Sequence, residues 1–565
     1  MTSKTDLTNL GEVVETDVLI IGGGIAGLTA AIKANQTRPE VSVLVVDKAT
    51  PGYAGQGPRT GGYSSVVPEE LVEDWLKRMV GMGGYLNDQE LTYTFGKEIS
   101  KIHRELADLG APYIRDEKGE LLMEQLNAKN PVSPYCAIWE VPPEFMQFLK
   151  GKARSEGTRI LKRTMLVSLL TEGERVVGAV GFSIDSGQFY ILKAKATILA
   201  NGGCMYRYRS WFRNNNGIGA SMAYNVGAEM RNAEFACTVG CVTQVGLMGA
   251  HHSYQDVENA LGENIGERYG ITPVERWNYH IMFPLVWKEI QEGRGPISSI
   301  QSVPEQTRTG GSPKRVQEFW PRIREKLGQT HGTRVEMVLA QSNRQGPIRV
   351  DSHFRATIPG LWAVGGTSFG GSGYFGAQSP GMAAGGFGIG FAQFSGYRSG
   401  LDAAEFASEA AATKIDSAEV SKLKKQIYAP LERKQGFDPN DAIYQVQETI
   451  EPVKYNVYKS EERMQEALAK VEEVKEKLPT LWAKDLHDLV KAHESASMAL
   501  CAEMTYRPAL MRRESRSTFL REDYPERDDQ NWLKWIILQK EKEEMKLRTE
   551  PVPFDKYKVK PPKEA

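Results

Sequence analysis

An α/β fold, α+β over the whole chain, is predicted by three features of the 565 residues. The first is the apolar run Val18-Leu19-Ile20-Ile21, closed by Gly22-Gly23-Gly24, the pattern of a parallel strand buried on both faces. The second is its near-repeat, Val41-Ser42-Val43-Leu44-Val45-Val46 ending at Asp47, reached through an Ala- and Leu-rich stretch over 26–35 that reads as a helix. The third is a double change of character. Residues 245–340 are rich in Trp, Arg and Pro with weak periodicity, and from 404 onward the pattern is helical and charged. The expected organisation is a first domain over 1–244 and 346–403, interrupted by an inserted domain over 245–345. A helical domain over 404–549 and an extended tail over 550–565 follow.

The remaining elements follow in order. Residues 48–66 (KATPGYAGQGPRTGGYSSV) read as a Gly-rich loop and 69–110 as helix. Short alternating runs over 175–192 predict a β-meander turning at Asp185-Ser186-Gly187. A separate buried strand is expected over 194–199, ending in Ala200-Asn201-Gly202-Gly203. The first domain resumes at TIPGLWAVGG, followed by a Gly-rich stretch over 370–390. Over 460–477, Met464, Leu468, Val471 and Val474 recur at helical spacing with Glu and Lys outside, and 481–504 reads as a second such helix.

Composition narrows the function. With 70 basic against 71 acidic residues, the chain has no global charge for gripping nucleic acid. Mean hydropathy is −0.41, and no apolar run reaches the roughly 18 residues of a membrane span. Five cysteines fit a reducing cytoplasm, and no four are spaced to hold an iron–sulfur cluster. Cys237 and Cys241 lack partners for a zinc site and read as buried thiols; no metal site is expected. The polar first 17 residues lack the pattern of a signal peptide. The one compositional anomaly is 55 glycines, and they cluster.

The densest cluster is Gly22-x-Gly24-x-x-Gly27, between strand and helix, with Asp47 closing the next strand. In that context the spacing is a dinucleotide fingerprint. Gly22 permits the tight turn, Gly24 lets backbone approach a pyrophosphate, and Gly27 lets the helix pack on the strand. Ile25 and Ala26 place their amides at the helix start, where the dipole favours an anion. Asp47 can accept hydrogen bonds from ribose hydroxyls, with Lys48 beside it. This fingerprint does not separate FAD from NAD.

ETDVLIIGGGIAGLTAA, KATILANGG, TIPGLWAVGG and RRESRSTFLREDYPERDD, in that order, resemble the flavoprotein subunits of the fumarate reductase, succinate dehydrogenase and adenylylsulfate reductase superfamily. The meander, YAPLER, KDLHDL and the last of those segments are most similar to the adenylylsulfate reductase alpha subunit. The resemblance implies a Rossmann-like FAD-binding domain, an inserted capping domain and a C-terminal helical domain. It implies an FAD-dependent oxidoreductase that exchanges a hydride with a small substrate and electrons with a small ferredoxin-like iron–sulfur subunit. It places Gly55, Gly61, Gly62, Ala200, Asn201, Gly202, Gly365, Thr367, Gln378 and Ser379 against FAD, with Ser368 as a second hydroxyl beside Thr367. It also implies that Arg294, in EGRGP, delivers a proton, that Glu140 is an active-site acid, and that Trp211 packs on substrate.

Departures from the family pattern matter as much. Gly55 stands where the fumarate reductase branch often carries a flavin-linking His, so the FAD is expected to be non-covalent. The two His and the Arg that clamp dicarboxylates fall at Val239, Ser342 and near Tyr374. The substrate-binding Arg of adenylylsulfate reductase falls near Cys241. A desolvated dianion needs such partners, so fumarate, succinate, adenylylsulfate and a non-catalytic electron-transfer role all stay open. A basic–aromatic string, from Tyr206 and Arg207 to Phe212 and Arg213, could grip a nucleotide or lie on a strand edge.

Overall fold

The computed structural model describes residues 6–59, 62–124, 135–138, 142–207, 215–235, 237–243, 250–251, 257–272, 276, 279–300, 334–343, 345–377 and 387–562. Strands β1 (Glu12–Ile21) and β2 (Val43–Asp47) pair in parallel, Val18 opposite Val43, with helix α1 (Ile25–Thr37) crossing between them. The apolar run 18–21 is at most 4% exposed, as a strand covered on both faces requires. β1 begins earlier than that run, because its polar first half pairs with the strand Phe189–Leu199, Glu12 opposite Tyr190.

Phe189–Leu199 is one strand, not a meander arm followed by a second strand. It runs parallel to β1 and antiparallel to Arg175–Ser183, which in turn pairs with Thr164–Glu172. Its length lets it join the parallel and antiparallel halves of one sheet. Arg159–Lys162 extends that sheet beside β2, and Leu361–Ala363 returns to it beside Thr197–Leu199. The expected turn holds: Gly187 has φ +73° between the two meander strands. On the covering face, helix Phe387–Glu409 lies against α1 with almost no spacing. A Cβ on Gly396 or Gly400 would fall 2.3 Å from the carbonyl oxygens of Ala26 and Ala30.

The stretch 69–110 forms two helices, α2 (Val72–Met82) and α3 (Gln89–Asp108), broken at Gly83-Gly84. A separate antiparallel sheet, ordered Ala250–His251, Cys237–Thr243, Arg334–Asn343, Ile297–Ile300, Val257–Glu258, draws one strand from before the expected boundary at 245 and the others from the insert. Residues Ser417–Glu432, Pro439–Ile450, Glu461–Lys477 and Leu486–Met511 build the C-terminal helices. The helical reading up to 549 fails at its end. Lys534–Glu541 and Glu544–Pro551 form a hairpin whose inner strand pairs with Met230–Arg231. Beyond Pro551 the chain turns over 554–556 and then docks on α3: Val559 donates its N–H to Gln89 Oε1 and accepts from Gln89 Nε2.

RRESRSTFLREDYPERDD makes a buried ladder of alternating charge. Arg512 lies between Glu234 and Glu514, and Arg516 between Glu514 and Asp529. Arg512, Arg516, Glu234 and Glu514 have fully buried side chains, so each charge depends on its neighbours to offset lost hydration. The ladder ties the segment that follows the helix Leu486–Met511 to Glu234.

Candidate functional site

The parallel strands deliver their C-terminal ends to one place. β1 ends in Gly22-Gly23-Gly24, β2 in Asp47, Phe189–Leu199 in Ala200-Asn201-Gly202-Gly203, and Leu361–Ala363 leads into Gly365-Gly366-Thr367. In open parallel sheets this edge is where ligands bind.

Three contacts shape it. Gly22 has φ +118°, and a Cβ there would lie 2.3 Å from the Ala200 carbonyl oxygen. Gly27 is tighter still, its missing Cβ 2.0 Å from the Gly22 carbonyl oxygen. Gly24 is the opposite case: nothing lies within 4 Å of where its Cβ would be, and it caps α1 without a side-chain hydrogen bond. The first-turn amides of α1 therefore face open space, the requirement for a phosphate. Asp47 holds the turn, accepting the Gly23 and Ala49 N–H groups at 2.6 Å each.

Two further glycine turns close the far side. A Cβ on Gly203 would meet the Gly366 carbonyl oxygen at 2.8 Å, and one on Gly365 would meet the Ala26 Cβ at 3.0 Å. Gly365 donates its N–H to Ser395 Oγ at 2.9 Å. Within this cradle Asn201 Oδ1 and Ser368 Oγ are buried without hydrogen-bond partners. Unpaired buried polar atoms are costly, on the order of 1–3 kcal/mol each, and a polar ligand here would satisfy them. Thr367 Oγ1 is turned instead toward the Gly202 carbonyl, at 3.4 Å. Gly55 (φ +75°) and Gly62 (φ +81°) lie in the loop between β2 and the strand Tyr63–Val66, with open space at Gly55.

Comparison with known proteins names the cofactor. A model of the FAD binding domain matches residues 17–252, and a model of the fumarate reductase flavoprotein C-terminus matches 445–565. Over both matched segments the chain resembles the flavoprotein subunits of fumarate reductase and succinate dehydrogenase. It is 26% identical to an uncharacterized FAD-dependent oxidoreductase of Methanocaldococcus jannaschii, over 94% of this chain and 97% of that one. It is 25% identical to a chain of the CoM/CoB fumarate reductase of Methanothermobacter marburgensis, over 94% and 98%. A variant of E. coli quinol fumarate reductase shares the fold at TM-score 0.82 and 20% identity, covering 98% of this chain and 99% of that one. Adenylylsulfate reductase from Archaeoglobus fulgidus does so at 0.76 and 21%, covering 96% of each. The flavoprotein is an FAD-dependent oxidoreductase, and the uncapped helix and orphaned polar atoms fit that cofactor. No helix among the described residues is long and apolar enough to cross a membrane.

The other sequence candidates of the flavoprotein divide. Gly61, Glu140, Trp211, Gln378 and Ser379 lie outside the described residues. Lys48 pairs with Glu494, which also accepts Arg207 NH1 at 2.8 Å. Sequence reasoning missed Glu494: it reaches Lys48 from 446 positions away, and no local pattern marks it. Arg294 lies in the insert. Its Nε and NH2 donate to the two oxygens of Glu289 at 2.6 and 2.7 Å, and NH2 also reaches Glu292. Glu289 is fully buried, and the Arg294 bonds, with those from Tyr269 and Asn259, hold its carboxyl down to about 2. The same carboxylates push the Arg294 guanidinium up. Of the places where family clamp residues fall, Val239 and Ser342 sit on neighbouring strands, Thr238 opposite Ser342. Tyr374 is fully buried among Phe95, Phe375 and Phe391.

Proposed function

We propose that the flavoprotein exchanges a hydride with a small anionic substrate and passes the electrons to or from a small ferredoxin-like iron–sulfur subunit, with FAD held non-covalently. The observation that carries the FAD part is the cradle: an uncapped helix start, three glycine turns and two orphaned polar atoms at one sheet edge. The first-turn amides of α1 would take the pyrophosphate and Asp47 the ribose. Asn201 and Ser368 would bond the flavin portion, and backbone at Gly55, Gly61, Gly62, Ala200, Gly202 and Gly365 would lie close against the cofactor. Thr367 buttresses Gly202, and Gln378 and Ser379 would complete the wall. Bound FAD supplies a centre that takes or gives two electrons as hydride.

The residues around substrate have narrower duties. A guanidinium pushed up by two carboxylates keeps its proton, so Arg294 is proposed as a fixed cation for the substrate's negative charge, with the proton handled by Glu140. Trp211 would pack on the substrate, and the insert would exclude water. Replacing Arg294 with Ala is expected to leave the flavin content unchanged and to slow turnover about tenfold or more, within the range for losing one charge-stabilising group; unchanged turnover removes Arg294 from the site.

Tyr374 bears on the substrate. Its hydroxyl is buried without a partner and its ring is enclosed by aromatic side chains, so it offers a dicarboxylate no cation. That supports a substrate other than fumarate or succinate, or a chain that carries electrons through FAD without a substrate of its own. Anaerobic titration of the reduced flavin decides: reoxidation by fumarate rejects the first reading, and reoxidation by any small acceptor rejects the second. Acid precipitation tests the non-covalent assignment. The yellow colour is expected in the supernatant, and a yellow pellet contradicts it.

A further inference from the structure

Two thiols meet where the first domain touches the C-terminal helices. Cys204 follows the Asn201-Gly202-Gly203 turn and is fixed by paired backbone bonds to Gln345, at 2.6 and 3.1 Å. Cys501 lies on the helix Leu486–Met511. Both are fully buried and both are free thiols. Gly217 makes the meeting possible. It has φ +77°, and a Cβ there would lie 2.4 Å from the Cys501 sulfur, 3.2 Å from the Cys204 sulfur and 2.9 Å from the Cys204 Cβ. The two sulfurs thus border one gap that only glycine leaves open, with the Cys501 thiol directed at the Gly217 carbonyl, 3.9 Å away. Among the described residues no group of three His, Cys, Asp or Glu is placed to hold a metal ion.

We propose that Cys204 and Cys501 are an oxidisable pair that closes to a disulfide in the presence of hydrogen peroxide, stitching the Asn201–Cys204 turn to the helix Leu486–Met511. Peroxide is a two-electron oxidant little larger than water, which suits a buried site. One sulfur attacks a peroxide oxygen, the O–O bond breaks, and a sulfenic acid and water result. The second sulfur attacks the sulfenic sulfur, the S–O bond breaks, and a second water leaves. Two thiols and one peroxide become one disulfide and two waters, the sulfurs losing the two electrons that the peroxide oxygens gain. The neighbouring thiol intercepts the sulfenic acid before a second peroxide can carry it to the irreversible sulfinic state. Burial pushes the Cys204 thiol up, so reaction is slow at neutral pH and accelerates as pH rises, because thiolate is the nucleophile.

The test uses the full-length FAD-loaded protein. It is treated with hydrogen peroxide, denatured in an alkylating agent and digested without reductant. The expected product is a Cys204 peptide joined to a Cys501 peptide, lighter than the sum by two hydrogens and released by dithiothreitol. A faster yield at pH 8.5 than at pH 7 is also expected. In Cys501→Ser the linked pair should vanish. Recovery of both residues as alkylated thiols overturns the proposal, as does a sulfinic acid on Cys204 beside an alkylated Cys501. A disulfide joining either residue to Cys136, Cys237 or Cys241 also overturns it.

Discussion

Replacing Gly24 with Asp is expected to give a folded, slightly more stable protein that has lost its flavin. Gly24 has φ −81°, a value any residue adopts, and the space where its side chain would go is empty. Aspartate is among the best helix N-caps, and its carboxylate would bond the first-turn amides that α1 now leaves uncapped. Those are the amides proposed for the pyrophosphate. The new charge therefore occupies the site and repels the ligand, by about 3 kcal/mol for unit charges near 5 Å at an effective dielectric of about 20. That corresponds to roughly a hundredfold weaker FAD binding. The flavin-to-protein ratio after gel filtration and the unfolding midpoint of the apoprotein check both halves. A variant that keeps stoichiometric FAD would move the pyrophosphate elsewhere. Gly27 offers no such separation, because a Cβ there would strike the Gly22 carbonyl and fold and site would fail together.

The glycine fingerprint was legible because its constraints are local: a turn, a helix start and a close crossing all lie within six residues. The parallel strands were legible because burial on both faces leaves a continuous apolar run. The first half of β1 was not, since Glu12 to Asp17 carries no apolar period and is a strand only through its pairing with Tyr190 to Ala194. The C-terminal hairpin misled for the opposite reason. EKEEMK has helical propensity, but Trp535 to Leu538 are buried by pairing and packing elsewhere in the chain, and tertiary burial outweighs a propensity of tenths of a kcal/mol per residue. Glu494 belongs to a third class. Its importance lies in the two cations it accepts, Lys48 and Arg207, and both come from distant segments. Such contacts exist only in the folded state and leave no mark on the local sequence.

The flavoprotein should also lose stability in mild acid, above the range in which carboxylates begin to titrate. His103 on α3 is fully buried in a closed network. Its Nε2–H donates to the Ser65 carbonyl at 3.1 Å, and its Nδ1 accepts from the Tyr113 hydroxyl at 2.8 Å. Gln393 donates to that hydroxyl and accepts from Ser64. Every position is taken by a neutral imidazole, and burial pulls its pKa down to about 4 from 6.5. The folded state therefore resists a proton that the unfolded chain accepts. Stability is full above pH 6.5, falls as pH drops toward 4, and levels below that. One such group accounts for about 3 kcal/mol over the whole window and about 2 between pH 6.5 and 5. His493 is also pulled down to about 4 by burial, with its Nε2 on the Ile427 carbonyl, but it is only partly enclosed and adds less. Chemical denaturation of wild type and His103→Gln at several pH values separates the two. Gln keeps a polar side chain and removes the titration, so the variant should be less stable at pH 7 and show a flatter profile between pH 6.5 and 5. If its slope there matches wild type, the acid sensitivity does not come from the network that pins the Ser64–Ser65 strand behind the Gly62 turn.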